Sequence, residues 1–163
     1  MLSKSTLLRF ETQIEIVPVL LSGATSEALR FRTASGKWSA HENLAHLARH
    51  HAVLLERLNL ILSENAPKLN RYRAEDDLEW PDWSRLSTEE VIGRLRALRM
   101  EIIRLINGLS ETEAGRIGIH PLFGEMDIPR WIEFFLLHEA HHLYLVMVRL
   151  GEVKRNRHAL PVR

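Results

Sequence analysis

Cysteine is absent from this chain of 163 residues, which excludes a disulfide scaffold, a cysteine nucleophile and any thiolate metal site. A dominant charge is lacking too. Lys and Arg total 22 against 21 Asp and Glu, so nothing electrostatic argues for nucleic acid or an anionic membrane as partner. The basic run KRNRH at 154–158 reads as part of a solvated, flexible tail over 151–163. No uninterrupted apolar run reaches the roughly 18–20 residues of a membrane span. The opening MLSKSTLLRFETQIE turns polar and acidic before a signal-peptide core could form. The expectation is a soluble, cytoplasmic protein, with neither nucleic acid nor membrane among its partners. Convincing strands are missing as well, since no stretch alternates apolar and polar residues, and no internal repeat is visible.

What is present is helical periodicity. Leu7, Phe10, Ile14, Val17 and Leu21 recur at the three-and-four spacing of an amphipathic helix over 3–22. Pro18 should kink or shorten it. RFRTASGKW at 30–38 reads as a loop. SAHE at 39–42 is a capping box, opening a long helix with Leu44, Leu47, His51, Leu54, Leu58 and Ile61 on one face. Residues 65–86, rich in Pro, Asn, Asp and Trp, form a long connection of the kind that is often functional. A second capping box, STEE at 87–90, starts a helix carrying Val91, Leu95, Leu98, Ile102, Leu105 and Leu109. Residues 111–126, with three glycines and Pro121, read as irregular chain with one short helical turn. Asp127 then caps a last helix with Pro129 in its first turn, and Gly151 is placed to end it. Four long amphipathic helices with two long connections predict an all-α four-helix bundle, one domain over 1–163.

The last helix contains HEAHH at 138–142, inside one of the most apolar stretches of the chain. His138 and His142 are four apart, about 6 Å along the axis and about 40° around it, so both can reach one divalent cation. His141 lies to the flank, either supporting the pair or merely packed. A third ligand would come from His41, His46, His50 or His51. By spacing, His51 falls on the apolar stripe and is slightly favoured over His46. Spacing alone leaves a metal site level with a pair of hydrogen-bonded core histidines or a pH-sensitive packing element.

GKWSAHENLAHL at 36–47 resembles the second-helix signature of the DinB/YfiT-like superfamily: a tryptophan and serine, a glutamate, then His-Leu. IGIHPLFGEMDIPRWIEFFLLHEAHHLYLV at 117–146 resembles its C-terminal signature, a glycine-bearing loop followed by His-x-x-x-His. RLRALRMEIIRLINGLS at 94–110 is similar to its third helix. The resemblance implies a four-helix bundle in up-down-down-up order. It also implies a divalent cation held by His46, His138 and His142, so the motif replaces His51 by His46. Zinc or nickel suits imidazole best, with iron and manganese the further candidates.

Family members include thiol-dependent S-transferases and a thiol-dependent isomerase. The implied activity is therefore metal-dependent chemistry on a small molecule. It would be either S-transfer with a low-molecular-weight thiol or hydrolysis, by an activated thiol or water. The alternative is a non-catalytic metal-binding or ligand-sensing bundle. A homodimer is expected from apolar Val19 and Leu20 beside Leu21. No catalytic side chain is assigned. Arg99 is a candidate to hold an anionic substrate, set against the reading of a solvated helix arginine. Trp38, Trp80 and Trp83 are candidates to line a pocket, and His120 to sit near the bundle mouth without being a ligand. Glu139 should project away from the histidine pair. Unperturbed imidazoles titrate near 6.5, so metal affinity is expected to fall between about pH 7 and 5.

Overall fold

The computed structural model describes residues 2–33 and 36–158. The chain begins with α1 (Lys4–Thr12), capped by the Ser3 hydroxyl. A 3-10 turn, Gln13–Ile16, leads into α2 (Val17–Leu21). Pro18 stands in the first turn of α2, where its missing N–H costs nothing, so the expected interruption falls just before it. After α3 (Ser26–Arg30) comes α4 (Ala40–Ser63), with both hydrogen bonds of the Ser39–Glu42 capping box formed. The long connection holds a 3-10 turn at Ala74–Asp76 and then α5 (Trp80–Arg85). α6 (Thr88–Asn107) opens with the Ser87–Glu90 capping box, and α7 (Glu111–Ala114) is the expected short turn.

Two expectations fail here. Residues 117–127 are not irregular: β1 (Ile117–His120) pairs antiparallel with β2 (Gly124–Asp127), with His120 opposite Gly124. The buried positions of β1 are Gly118 and His120, so its alternation is not one of apolar residues. A Cβ at Gly118 would lie 2.7 Å from Ile61, a clash that only glycine avoids. Gly151 does not end the last helix either. α8 runs over Ile128–His158, with the Arg130 amide donating to the Asp127 carboxylate at 2.9 Å to cap it. Leu150 and Val153 are buried on either side of Gly151, and that packing outweighs the roughly 1 kcal/mol helical cost of glycine. The expected tail is thus helical to 158, and its remainder, 159–163, lies outside the described residues, as do 34–35 of the expected 30–38 loop.

Hydrogen bonds between helices set the topology. His41 and Thr88, each at the start of its helix, meet at 2.9 Å, so α4 and α6 run parallel. Thr6 and Gln13 of the first helical stretch reach Glu133 and Glu139 of α8 in the same order, so these too are parallel. Asn43 meets His142, and His46 meets His138, so α4 and α8 are antiparallel. This is the up-down-down-up order. The core divides into two apolar clusters, one around Leu44, Leu95 and Val146, the other around Leu58, Ile102 and Trp131. Between them lies a polar layer to which the 3-10 turn after α1 and each of α4, α6 and α8 contribute: Gln13, His51, Arg99 and Glu139. Among the described residues no helix is long and apolar enough to cross a membrane.

Candidate metal centre

The i,i+4 spacing puts His138 and His142 on one face of α8, and the antiparallel neighbour α4 brings His46 against them. The three residues each offer a ring nitrogen within 4.8 Å of the others. His46 Nε2 faces His138 Nε2 at 3.2 Å. Two imidazoles sharing a tetrahedral cation at about 2.05 Å would place their nitrogens about 3.3 Å apart. The third ring is oriented by Asn43. Its Nδ2 donates to the Ser39 carbonyl at 2.8 Å, which leaves the amide oxygen to accept from His142 Nδ1 at 2.8 Å. His142 therefore carries its proton on Nδ1 and has a free lone pair on Nε2. By contrast, the Nδ1 atoms of His46 and His138 are buried without a hydrogen-bond partner among the described residues.

Burial, helped by the neighbouring imidazoles, pushes all three pKa values down to about 3. All three are neutral at pH 7, the form a cation needs. Burial therefore shifts proton competition on the folded protein to lower pH than the fall between about pH 7 and 5 expected of an unperturbed imidazole. Facing nitrogens, a shared neutral state and apolar flanks make a donor set that can hold one divalent metal ion.

His51 is committed elsewhere. Its Nδ1 donates to the Leu47 carbonyl at 2.7 Å, and its Nε2 accepts from Arg99 Nε at 3.1 Å. Arg99 also donates to the Phe10 carbonyl at 2.5 Å and to Glu139. The second Glu139 oxygen accepts from Gln13 at 2.9 Å. Arg99 is 1% exposed, so it neither faces a cleft nor lies in solvent, and both readings of it are corrected. Glu139 projects away from the histidine pair, as its position on the helix predicts.

The other histidines separate by partner. His41 is held by Thr88 and the Ser84 carbonyl. His50 is buried with its ring 4.1 Å from that of His138 and stacked on Phe135. His141 is exposed. His120 Nδ1 accepts from the amides of Leu122 and Phe123 at 3.1 Å each, which puts its proton on Nε2. Trp38 packs on His46 at 5.0 Å and stacks with Trp80, so both border the cluster. Trp83 instead joins the core. A cavity of about 490 Å³ adjoins His46 and His138 and is lined by His120, Tyr72 and Phe123 among others.

Comparison with known proteins shows the family and the fold. The sequence pattern of the DinB superfamily matches residues 9–146. The chain belongs to the DinB superfamily. One relative from Oceanobacillus iheyensis, named "putative metal-dependent hydrolase", is 30% identical over 135 residues, covering 80% of this chain and 78% of the relative. A second from the same organism and with the same description is 24% identical over 143 residues, covering 88% and 82%. In fold, the chain is similar to YfiT from Bacillus subtilis, described as "a probable metal-dependent hydrolase with an unusual four-helix bundle topology". That match has a TM-score of 0.76 at 20% identity and covers 96% of this chain and 90% of the other.

In this DinB superfamily chain the sequence singles out His46, His138 and His142, and the structure brings those three together. Sequence reasoning missed Asn43 and Tyr72. Asn43 precedes His46 by three residues on the same helix face, a spacing that could have marked it. Tyr72 stacks on His46 at 5.6 Å from within the long connection, where no periodicity points to it. It is positioned by that connection's tie to the hairpin, with Leu69 N donating to the Ile119 carbonyl at 2.9 Å.

Proposed function

We propose that the chain is a metal-dependent enzyme acting on a small molecule, with His46, His138 and His142 as ligands of one zinc or nickel ion. The observation that carries this reading is the convergence of three neutral ring nitrogens within 4.8 Å beside a cavity. Three donors next to open space differ from the four donors of a closed structural site. That is the argument against a purely structural metal.

A dication held by three neutral imidazoles keeps its full charge, enough to bring the pKa of water near 7 or to ionise a thiol. The chain's own residues supply the rest. Asn43 fixes the ring of His142. Trp38 and Tyr72 pack against the ring of His46. His120, with its proton on Nε2, is a ready hydrogen-bond donor on the cavity wall. Glu139 and His51 are excluded as proton acceptors for substrate, because their polar atoms already serve Arg99, Gln13 and Leu47.

Hydrolysis is the favoured reaction, since two relatives carry that name. Transfer to a low-molecular-weight thiol would use the same centre. The test is purification without a histidine tag, metal stripping, and reconstitution followed by mass spectrometric metal analysis. Ester and amide substrates are then screened with and without thiols. One ion per chain, lost in His138→Ala, is expected. Unchanged metal content in that variant would overturn the assignment.

A further inference from the structure

The cavity beside His46 and His138 is lined by Arg57 and Arg71, by four histidines with the two ligands among them, and by no carboxylate. Four arginines are buried among the described residues: Arg49, Arg57, Arg99 and Arg149. Three have carboxylate partners. Arg49 pairs with Asp77 at 2.7 Å and Glu56 at 2.9 Å, Arg99 with Glu139, and Arg149 with Glu152 at 2.5 Å. Arg57 has none. One guanidinium nitrogen donates to the Asn70 carbonyl at 2.8 Å, and the group lies 5.4 Å from the centre of the Trp131 ring. These contacts hold it in place without neutralising it. A buried charge without a counter-ion is costly, and a guanidinium has donors left over for a two-oxygen anion. Arg71, exposed at the same cavity, is likewise in no ion pair among the described residues. The rest of the lining includes the apolar Pro121, Leu122, Phe123 and Phe134.

We infer that this cavity takes a substrate with an anionic oxygen group, carboxylate or phosphate, held by Arg57 and Arg71, and an apolar or aromatic body against the hairpin wall. The inference rests on the reading of the histidine cluster as the reaction centre, because that cluster borders the same cavity. It also accounts for an arginine at this wall with no ion pair: the anion arrives with the substrate. A staple for the long connection, through the Asn70 carbonyl, would explain burial but not why the wall beside the histidines carries two arginines and no acid, the nearby carboxylates lining the neighbouring cavity instead.

Calorimetric titration at low ionic strength separates the two explanations. Benzoate, phenyl phosphate and the neutral control benzyl alcohol are titrated into metal-free and zinc-loaded protein. On the metal-free protein at least one anion should bind about tenfold more tightly than the alcohol, as a charge-assisted contact provides. The tighter of the two identifies the anion class. Arg57→Gln should abolish that preference with the helical circular dichroism and the zinc stoichiometry retained. Equal binding of all three probes, no anion binding at millimolar concentration, or an anion preference untouched by Arg57→Gln would each overturn the inference. If Arg57→Gln does not fold, the exposed Arg71→Ala carries the test, and an unchanged preference there overturns the two-cation cavity. Because the decisive titration uses metal-free protein, a chain that binds no zinc yet prefers the anion would refute the metal centre and leave the anion cavity standing.

Discussion

His46 and His51 stand five residues apart on α4, both buried, each facing a polar residue of α8. Around His51 both ring nitrogens are engaged, and Arg99, Glu139 and Gln13 close the network. Around His46 one nitrogen meets only another imidazole nitrogen, and the other has no partner. A buried polar group without a partner costs about 1–3 kcal/mol. The polar layer avoids that cost through protein–protein hydrogen bonds. In the triad a cation would take the facing Nε2 lone pairs, while the Nδ1 groups of His46 and His138 stay without a partner among the described residues. Burial alone does not distinguish the two histidines, and an unpartnered nitrogen does so only together with convergence, since His50 is also buried with its Nδ1 unpartnered but lies outside the group of converging nitrogens.

The largest expected effect is on acid stability. Folded, His46, His138 and His142 titrate at about 3; unfolded, near 6.5. Between those values the unfolded chain binds more protons, so stability falls as pH falls, and the contribution is fully present above 6.5. Each histidine gives a slope of up to about 1.4 kcal/mol per pH unit in that window. Urea melts of metal-free protein between pH 7 and about 5 should show the loss. A flat profile would mean that the triad is not held neutral.

Next comes the closed network. Glu139→Ala leaves Arg99 buried and uncompensated and should cost about 3–5 kcal/mol, measured by urea denaturation at pH 7. Zinc stoichiometry should survive wherever that variant is folded. Loss of zinc binding by folded Glu139→Ala would erase the distinction between the two regions.

His138→Ala should do the reverse. It creates no stranded charge, so the metal-free protein should stay folded. Zinc at about 100 times its dissociation constant adds about 2.7 kcal/mol to the wild type, and this increment should vanish in the variant. Thermal melts with and without chelator measure it. Retention of the increment would sink the ligand assignment.

Why the sequence reveals one region more readily than the other follows from what each depends on. The capping boxes at Ser39 and Ser87 and the apolar stripes are local, so the four helices are legible. Spacing places His138 and His142 together but favours His51 over His46, because both lie near the α4 stripe. The motif around Trp38 and Glu42 favours His46. The deciding fact, that His51 is held by Arg99, involves three helices at once and has no local signature. Arg99 itself looks like any helix arginine until Phe10 and Glu139 close around it. The hairpin escapes because its inward residues are Gly118 and His120, whose burial depends on Ile61 and Trp131 rather than on their own apolarity.

Asn43 tests the boundary between the regions with the smallest effect. It belongs to neither set of ligands, yet it does for His142 what Leu47 and Arg99 do for His51: it fixes which nitrogen holds the proton. Removing it lets the His142 ring turn and leaves its Nδ1 without an acceptor. Metal affinity typically drops 10–100-fold on loss of such a partner, about 1.4–2.7 kcal/mol. Asn43→Ala should show this in competition titrations against a chromogenic chelator, with one ion per chain at saturation. Asn43→Asp separates orientation from packing. Its carboxylate also accepts from Nδ1 and should restore most of the affinity, although it forfeits the bond to the Ser39 carbonyl. Equal weakening in both variants would show that Asn43 acts by closing the start of α4 rather than by orienting His142.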